Sequence, residues 1–233
     1  MKKTLTSLCL GFMLFVIAFS SKAAVIPGGT YYVISGESFS LTPSLTSLYQ
    51  YKWLLNPGAG QIETLLDATS GGVYTKTFGT GSELGVVSNK LTLGVLETLG
   101  GCLSDVIEHT IIVLPKITIT LTTADGKDNY CLGIPVSTTL TANVTAVTGL
   151  ADVNVSLSPF AWTKDNSGTG LETQTGSTLA ITSTGTYKAL VSYILPAVGP
   201  THTASKLLNA INSTAKQIRN DLPLPVLPSI TLN

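Results

Sequence analysis

The chain has 233 residues, 44% of them apolar and only 11% charged, with 13 basic residues against 13 acidic ones. An ordinary soluble domain is about a quarter charged. A chain with no basic field is not built to hold nucleic acid, and one this apolar is not a charged disordered segment.

From the N-terminus, Lys2 and Lys3 precede an apolar run from Leu8 to Phe19, and Ser21-Lys-Ala23 supplies small residues where a signal peptidase reads. Residues 1–23 are therefore expected to be a cleaved signal peptide, too short to serve as a membrane span. Cys9 leaves with it, and no Cys follows the run to carry a bacterial lipid anchor. No second long apolar run follows. The mature chain is expected to be exported, to the extracellular space, the cell surface or the periplasm, without a membrane span.

Later runs alternate with a period of two. His109-Thr-Ile-Ile-Val-Leu114 is dense in apolar residues, as in a strand buried on both faces. Lys116-Ile-Thr-Ile-Thr-Leu-Thr122 places Ile117, Ile119 and Leu121 on one face and threonines on the other. Thr138 to Val147 repeats the pattern through Leu140, Ala142, Val144 and Ala146, and so do Thr178 to Ile181 and Tyr187 to Ile194. Asn56-Pro-Gly-Ala-Gly60, Ser70-Gly-Gly72, Gly79-Thr-Gly81, Asp125-Gly126 and Asn166-Ser-Gly168 supply the turns between them. The class is all-β, a sandwich or barrel. Leu207, Leu208, Ile211, Ala215 and Ile218 recur at helical steps, with Thr203 or Ser205 as a cap. A short helix and a final strand followed by a loop fit this stretch equally.

Parts of the chain recur. Val33-Ile-Ser-Gly36 matches Tyr130-Cys-Leu-Gly133, Tyr51-Lys-Trp53 matches Phe160-Ala-Trp162, and His109-Thr110 matches His202-Thr203. Each unit is close to the size of one β-sandwich domain. The expected domains are 24–115 and 116–208, joined at Leu114-Pro115-Lys116, with a Pro-rich tail over 209–233. Within the tail, Val226-Leu-Pro-Ser-Ile-Thr-Leu-Asn233 copies Val113-Leu-Pro-Lys-Ile-Thr-Ile-Thr120. It reads as the start of a third repeat, or as a terminal strand that pairs with a sheet edge.

Ser183-Thr-Gly-Thr-Tyr187 resembles the tyrosine corner of the immunoglobulin fold, with Ala189 where a strand-F cysteine stands and Trp162 as the core Trp of strand C. Together with Cys131-Leu-Gly133, Tyr51-Lys-Trp53 and Gly101-Cys102-Leu-Ser104, this is similar to the Ig-like and PKD-like repeats of secreted and surface proteins of Bacteroidota. The resemblance spans about 25–208 and is more specific for the second unit. It implies two tandem Ig-like β-sandwich domains with Trp53, Trp162 and Tyr187 as structural core. Such repeats pair an early and a late cysteine within one domain, whereas each unit here keeps only one of the two, Cys102 or Cys131. The thiols are either free, which is favoured, or bridged across the joint, which needs Cα atoms within about 7 Å.

Chemistry-bearing patterns are sparse. No Gly-x-Ser-x-Gly elbow exists, and His109 and His202 sit at equivalent strand starts, so no catalytic set is expected. Gly79-Thr-Gly81 with Gly85 misses the phosphate-loop spacing. Asp125-Gly-Lys-Asp128-Asn129 offers fewer oxygens than Ca²⁺ takes and reads as a turn. No metal or cofactor is expected. Asn143, Asn154 and Asn212 fit the N-glycosylation acceptor pattern, which matters only in a eukaryotic source. Asp67 to Glu83, with Tyr74 and Phe78 among Gly and Thr, is the candidate contact loop, set against an ordinary long connection. The expected function is a non-catalytic exported structural or adhesive module, binding a protein or glycan partner through loops or sheet edges. Strand-edge self-association, as in a pilin-type subunit donating its C-terminal strand, is the main rival, and a secreted hydrolase is a third reading.

Overall fold

The computed structural model describes residues 24–45, 47–58, 60–80, 85–171, 173–196 and 211–224. The fold is nearly all β, and among the described residues there is no α-helix. The chain begins with β1 (Val25–Ile34), β2 (Ser38–Leu41), β3 (Gln50–Leu55), β4 (Ile62–Asp67), β5 (Tyr74–Thr77), β6 (Val87–Leu96) and β7 (Val106–Leu114). It continues with β8 (Ile119–Thr123), β9 (Asn129–Cys131), β10 (Thr138–Val144), β11 (Ser156–Leu157), β12 (Ala161–Lys164) and β13 (Thr178–Ile181). The last four are β14 (Gly185–Val191), β15 (Tyr193–Ile194), β16 (Ile211–Asn212) and β17 (Lys216–Leu222).

Two compact units interleave along the chain. One takes the residues up to Gly29, Ser40–Thr75 and Asn89–Thr110, and the other takes Thr30–Phe39, Lys76–Ser88 and the residues from Ile111 on. One sheet runs β1-β7-β6-β3-β4, with β2-β5 as a separate pair. A second set has β13-β10-β8 in one sheet and β12-β14-β17-β9 in the other. The series β1-β7-β6-β3 and β9-β17-β14-β12 put strands of the same rank in the same places. The arrangement is Ig-like, with β12, β14 and β17 as strands C, F and G and β8, β10 and β13 as A, B and E.

Period-two patterning explains the burial. Along β3, Tyr51, Trp53 and Leu55 are buried and pair with Val95, Leu93 and Leu91 of β6, while the alternate residues Lys52 and Leu54 are half-buried. In the second unit Ile119, Leu140, Ala142, Leu179, Ile181, Trp162, Tyr187, Ala189 and Val191 form one core. The threonines alternate outward along β8, as Thr120 and Thr122 do.

Residues 211–222 take the strand alternative rather than the helical one. β17, placed in a tail by the sequence, pairs antiparallel with β14 (Gly185↔Ile218) and parallel with β9 (Arg219↔Asn129). Ile218 is 1% exposed in the second unit's core. Pairing on both sides and this one core residue outweigh local helical spacing, which is a weak preference in tertiary context.

Each strand C carries the same device. Trp53 Nε1 donates to Gly72 O (2.9 Å) and Trp162 Nε1 donates to Gly176 O (2.9 Å), each glycine two residues before strand E. Three residues after each Trp stands a residue with left-handed backbone, Asn56 (φ 47) and Asp165 (φ 50). Asn56 N–H donates to Lys90 O (2.7 Å) and Lys90 N–H to Asn56 Oδ1 (2.9 Å). Asp165 N–H donates to Thr186 O (2.7 Å) and Thr186 N–H to Asp165 Oδ1 (2.8 Å). Asn and Asp tolerate this conformation and supply the acceptor, so the Trp-x-x-Asx pair clasps strand C to strands E and F. The tyrosine corner is present as well: Tyr187 Oη donates to Ser183 O (2.9 Å).

Trp162→Phe keeps most of the apolar bulk but strands the Gly176 carbonyl; a loss of about 1–3 kcal/mol in urea unfolding is expected. Tyr193 is buried, its hydroxyl donates to Pro115 O (2.6 Å), and burial pushes its pKa from 10.0 up to about 12. Folding therefore favours the neutral phenol. This contribution is whole below pH 10 and is lost as pH rises towards about 12, at up to about 1.4 kcal/mol per pH unit. Urea midpoints taken across that range should fall, and Tyr193→Phe, less stable at neutral pH, should remove this part of the slope.

Candidate interaction surface

One surface feature is the free side of β4. Its pairing with β3 runs without a bulge from Gln50↔Asp67 to Leu55↔Ile62, and among the described residues β3 is its one strand neighbour. Ile62, Thr64 and Leu66 face the β3 core positions Leu55, Trp53 and Tyr51; Glu63, Leu65 and Asp67 alternate to the outer face. Ile62 and Leu65 are each 50% exposed, so the strand carries uncovered apolar side chains on both faces. Lys52 Nζ lies 2.8 Å from Glu63 Oε2 on the outer face. Edge strands are usually blunted by Pro, bulges or inward charges. β4 has none of these and keeps a six-residue template.

The strand stops at a built cap. Asp67 Oδ1 accepts from Thr69 N (3.0 Å), Ser70 N (3.1 Å) and Thr69 Oγ1 (2.7 Å), which holds the carboxyl below its ordinary pKa. Ala68–Ser70 then form a 3₁₀ turn that closes on left-handed Gly71 (φ 59). At Gly72, a Cβ would fall 2.4 Å from the Tyr51 ring, so the backbone passes flat against that aromatic.

The predicted contact loop is corrected. Tyr74 and Phe78 are 4% and 8% exposed. Tyr74 packs on Trp53 with ring centroids 5.2 Å apart, and Phe78 stacks on Phe39 at 5.4 Å. Both are core residues, because aromatic burial against a partner ring outweighs their Gly- and Thr-rich surroundings. Trp53, Trp162 and Tyr187 are 2%, 2% and 3% exposed. Cys102 is an exposed free thiol and Cys131 a half-buried one.

The remaining candidates resolve into local structure. Asp125 accepts from Lys127 N, Tyr130 Oη and Thr138 Oγ1, which lowers its pKa. Asp128 pairs with Lys216 Nζ (3.0 Å) and ties the turn to β17. Among the described residues no three His, Cys, Asp or Glu side chains gather as metal ligands, and no helix is long and apolar enough to cross a membrane. A shallow depression of about 540 Å³ lies along β14 and β17, but Asp165 there is held by Thr186 and Arg219 by Gln217. His202 and the tail Val226 to Asn233 lie outside the described residues.

His109 is half-buried on β7, and its Nδ1 accepts from Gly29 N (3.0 Å). A Cβ at Gly28 would fall 2.4 Å from the imidazole, so strand β1 needs glycine to pass it. The signal for this role was Pro-Gly-Gly at 27–29, which the period-two reading passed over.

No family model matches the chain, and no curated protein matches it. Among solved structures, the fibronectin(III)-like modules of Clostridium thermocellum CbhA align over 92% of this chain and 98% of theirs, at 13% identity and TM-score 0.39. Chicken CNTN1 FN1–FN3 domains align over 84% and 65%, at 10% identity and TM-score 0.33. The N-terminal four Ig domains of Dscam1 isoform 7.44 align over 87% and 45%, at 12% identity and TM-score 0.28.

Burial lowers the His109 pKa from 6.5. The fold thus holds the neutral ring, and its contribution is whole above pH 6.5 and lost as pH falls below it. Unfolding midpoints should decline on acidification, and His109→Gln should flatten that decline, as read by urea titrations over the same range.

Proposed function

We propose that this chain is a non-catalytic binding or structural module, exported through residues 1–23, that works by strand pairing at β4. The observation that carries this reading is the unbulged six-residue edge with Ile62 and Leu65 uncovered on its two faces. Such an edge recognises extended polypeptide through its backbone row, with alternate side chains covering apolar positions on each face. A glycan offers no matching ladder. The low charge of the chain fits recognition by shape and hydrogen bonding rather than steering by a field.

The partner with the simplest geometry is a second copy. Two antiparallel β4 strands centred on Thr64 set Ile62 opposite Leu66 on one face and Glu63 opposite Leu65 on the other, with no like charges face to face. A two-fold contact of this kind is self-complementary. An adhesive or scaffolding role at the cell surface follows from pairing between copies.

Sedimentation equilibrium of the chain should show a concentration-dependent dimer. Leu65→Lys and Ile62→Lys, both on exposed positions, should weaken it by about tenfold or more while leaving the thermal midpoint nearly unchanged. A chain monomeric throughout, or a dimer indifferent to both substitutions, would remove the β4 reading.

A further inference from the structure

Two strand pairs in this chain end alike. Ser35 N–H donates to Leu114 O and Leu132 N–H donates to Leu222 O, both at 2.8 Å. Each is followed by the same turn: Glu37 N–H returns to Ile34 O (3.1 Å) and Ile134 N–H to Cys131 O (3.2 Å). The turns pivot on Gly36 and Gly133, both at φ 79. By this register Cys131 stands where Ile34 stands, and Leu222-Pro223 where Leu114-Pro115 stands.

The two ends differ in what covers them. Ile34 and Leu114 are 8% and 0% exposed and share one core with Ile117 and Ile119. Leu222 is 43% exposed and Cys131 half-buried, and beside them Leu132, Ile134 and Leu224 are 61%, 49% and 56% exposed. Asn220, whose Nδ2 donates to Ile134 O (2.9 Å), has its Oδ1 buried and without a hydrogen-bond partner among the described residues. An apolar patch with an open acceptor at its root is a half-built contact.

The sequence holds the missing half. Val113-Leu-Pro-Lys-Ile117-Thr-Ile119 is copied as Val226-Leu-Pro-Ser-Ile230-Thr-Leu232, and the copy carries no charge. We propose that the chain's own segment 226–233 packs on this end, with Ile230 and Leu232 covering Cys131 and Leu222. They lie eight and ten residues after Leu222, where Ile117 and Ile119 lie three and five after Leu114, so the copied run reaches this end from five residues further along the chain. Reach is ample, since the eight residues from Leu222 to Ile230 can extend about 26 Å. The inference concerns a surface distinct from β4 and does not rest on the function proposed there.

Cys131 is the reporter. In a full chain carrying Cys9→Ser and Cys102→Ser, its alkylation by iodoacetamide should be about tenfold slower than in the same chain with Ile230→Asp and Leu232→Asp. A chain ending at Leu224 should alkylate as fast as that double variant, and the thermal midpoint of each reports folding. Protection in the full chain should not change on dilution. Equal rates in all three chains would overturn the proposal. Protection that fades on dilution would overturn it too, because the cover would then be a second copy.

Discussion

A buried indole N–H must find an acceptor, and in this protein that requirement organises each sandwich. Trp53 and Trp162 sit on strand C and reach across to glycine carbonyls that precede strand E in the other sheet. The bond therefore helps fix the spacing of the two sheets, since the apolar side chains between them define no direction. The left-handed Asn56 and Asp165 then turn the chain out of strand C while binding the start of strand F. One Trp and one Asx, three residues apart, thus hold strand C on two sides. The same chemistry appears twice in units that share few other residues.

Much of this is legible in the amino-acid sequence. Period-two runs located β8, β10, β13 and β14, and the aromatic-x-Trp repeat located both strands C. The clasp itself has no local signal, because an Asx near Gly or Pro looks like any turn residue and its partner strand lies about 20 to 35 positions away. The interior positions of Tyr74 and Phe78 are hidden in the sequence for a related reason. Their neighbours are Gly, Thr and Lys, and only the rings of Trp53 and Phe39 reveal that the positions are interior. β17 was obscured by composition: Lys-Gln-Ile-Arg-Asn-Asp-Leu buries one side chain and owes its strand state to neighbours on both sides. The β4 edge has no sequence signature at all, since a strand becomes an edge through what fails to pair with it.

The hydroxyl-rich composition also has a structural counterpart. Thr118 Oγ1 and Thr145 Oγ1 are 2.7 Å apart, Ser40 Oγ and Thr75 Oγ1 are 2.9 Å apart, and Asn143 Nδ2 donates to Thr122 Oγ1 (3.3 Å). Neighbouring strands are thus linked on their outer faces by neutral groups where many sheets use ion pairs. Neutral pairs of this kind do not weaken as salt screens the solution.

The position of β17 bears on how the second sandwich is made. It lies between β14 and β9 in the sheet, yet among the described residues it is the last strand, about 90 residues after β9. Until it arrives, β9 has no place in the sheet and β14 shows a bare flank. Closure of so long a loop comes late and slowly, because its entropy is spent before any contact repays it. During synthesis the nascent second sandwich therefore passes through a stage with exposed strands, and the few polar residues of 216–222 end that stage.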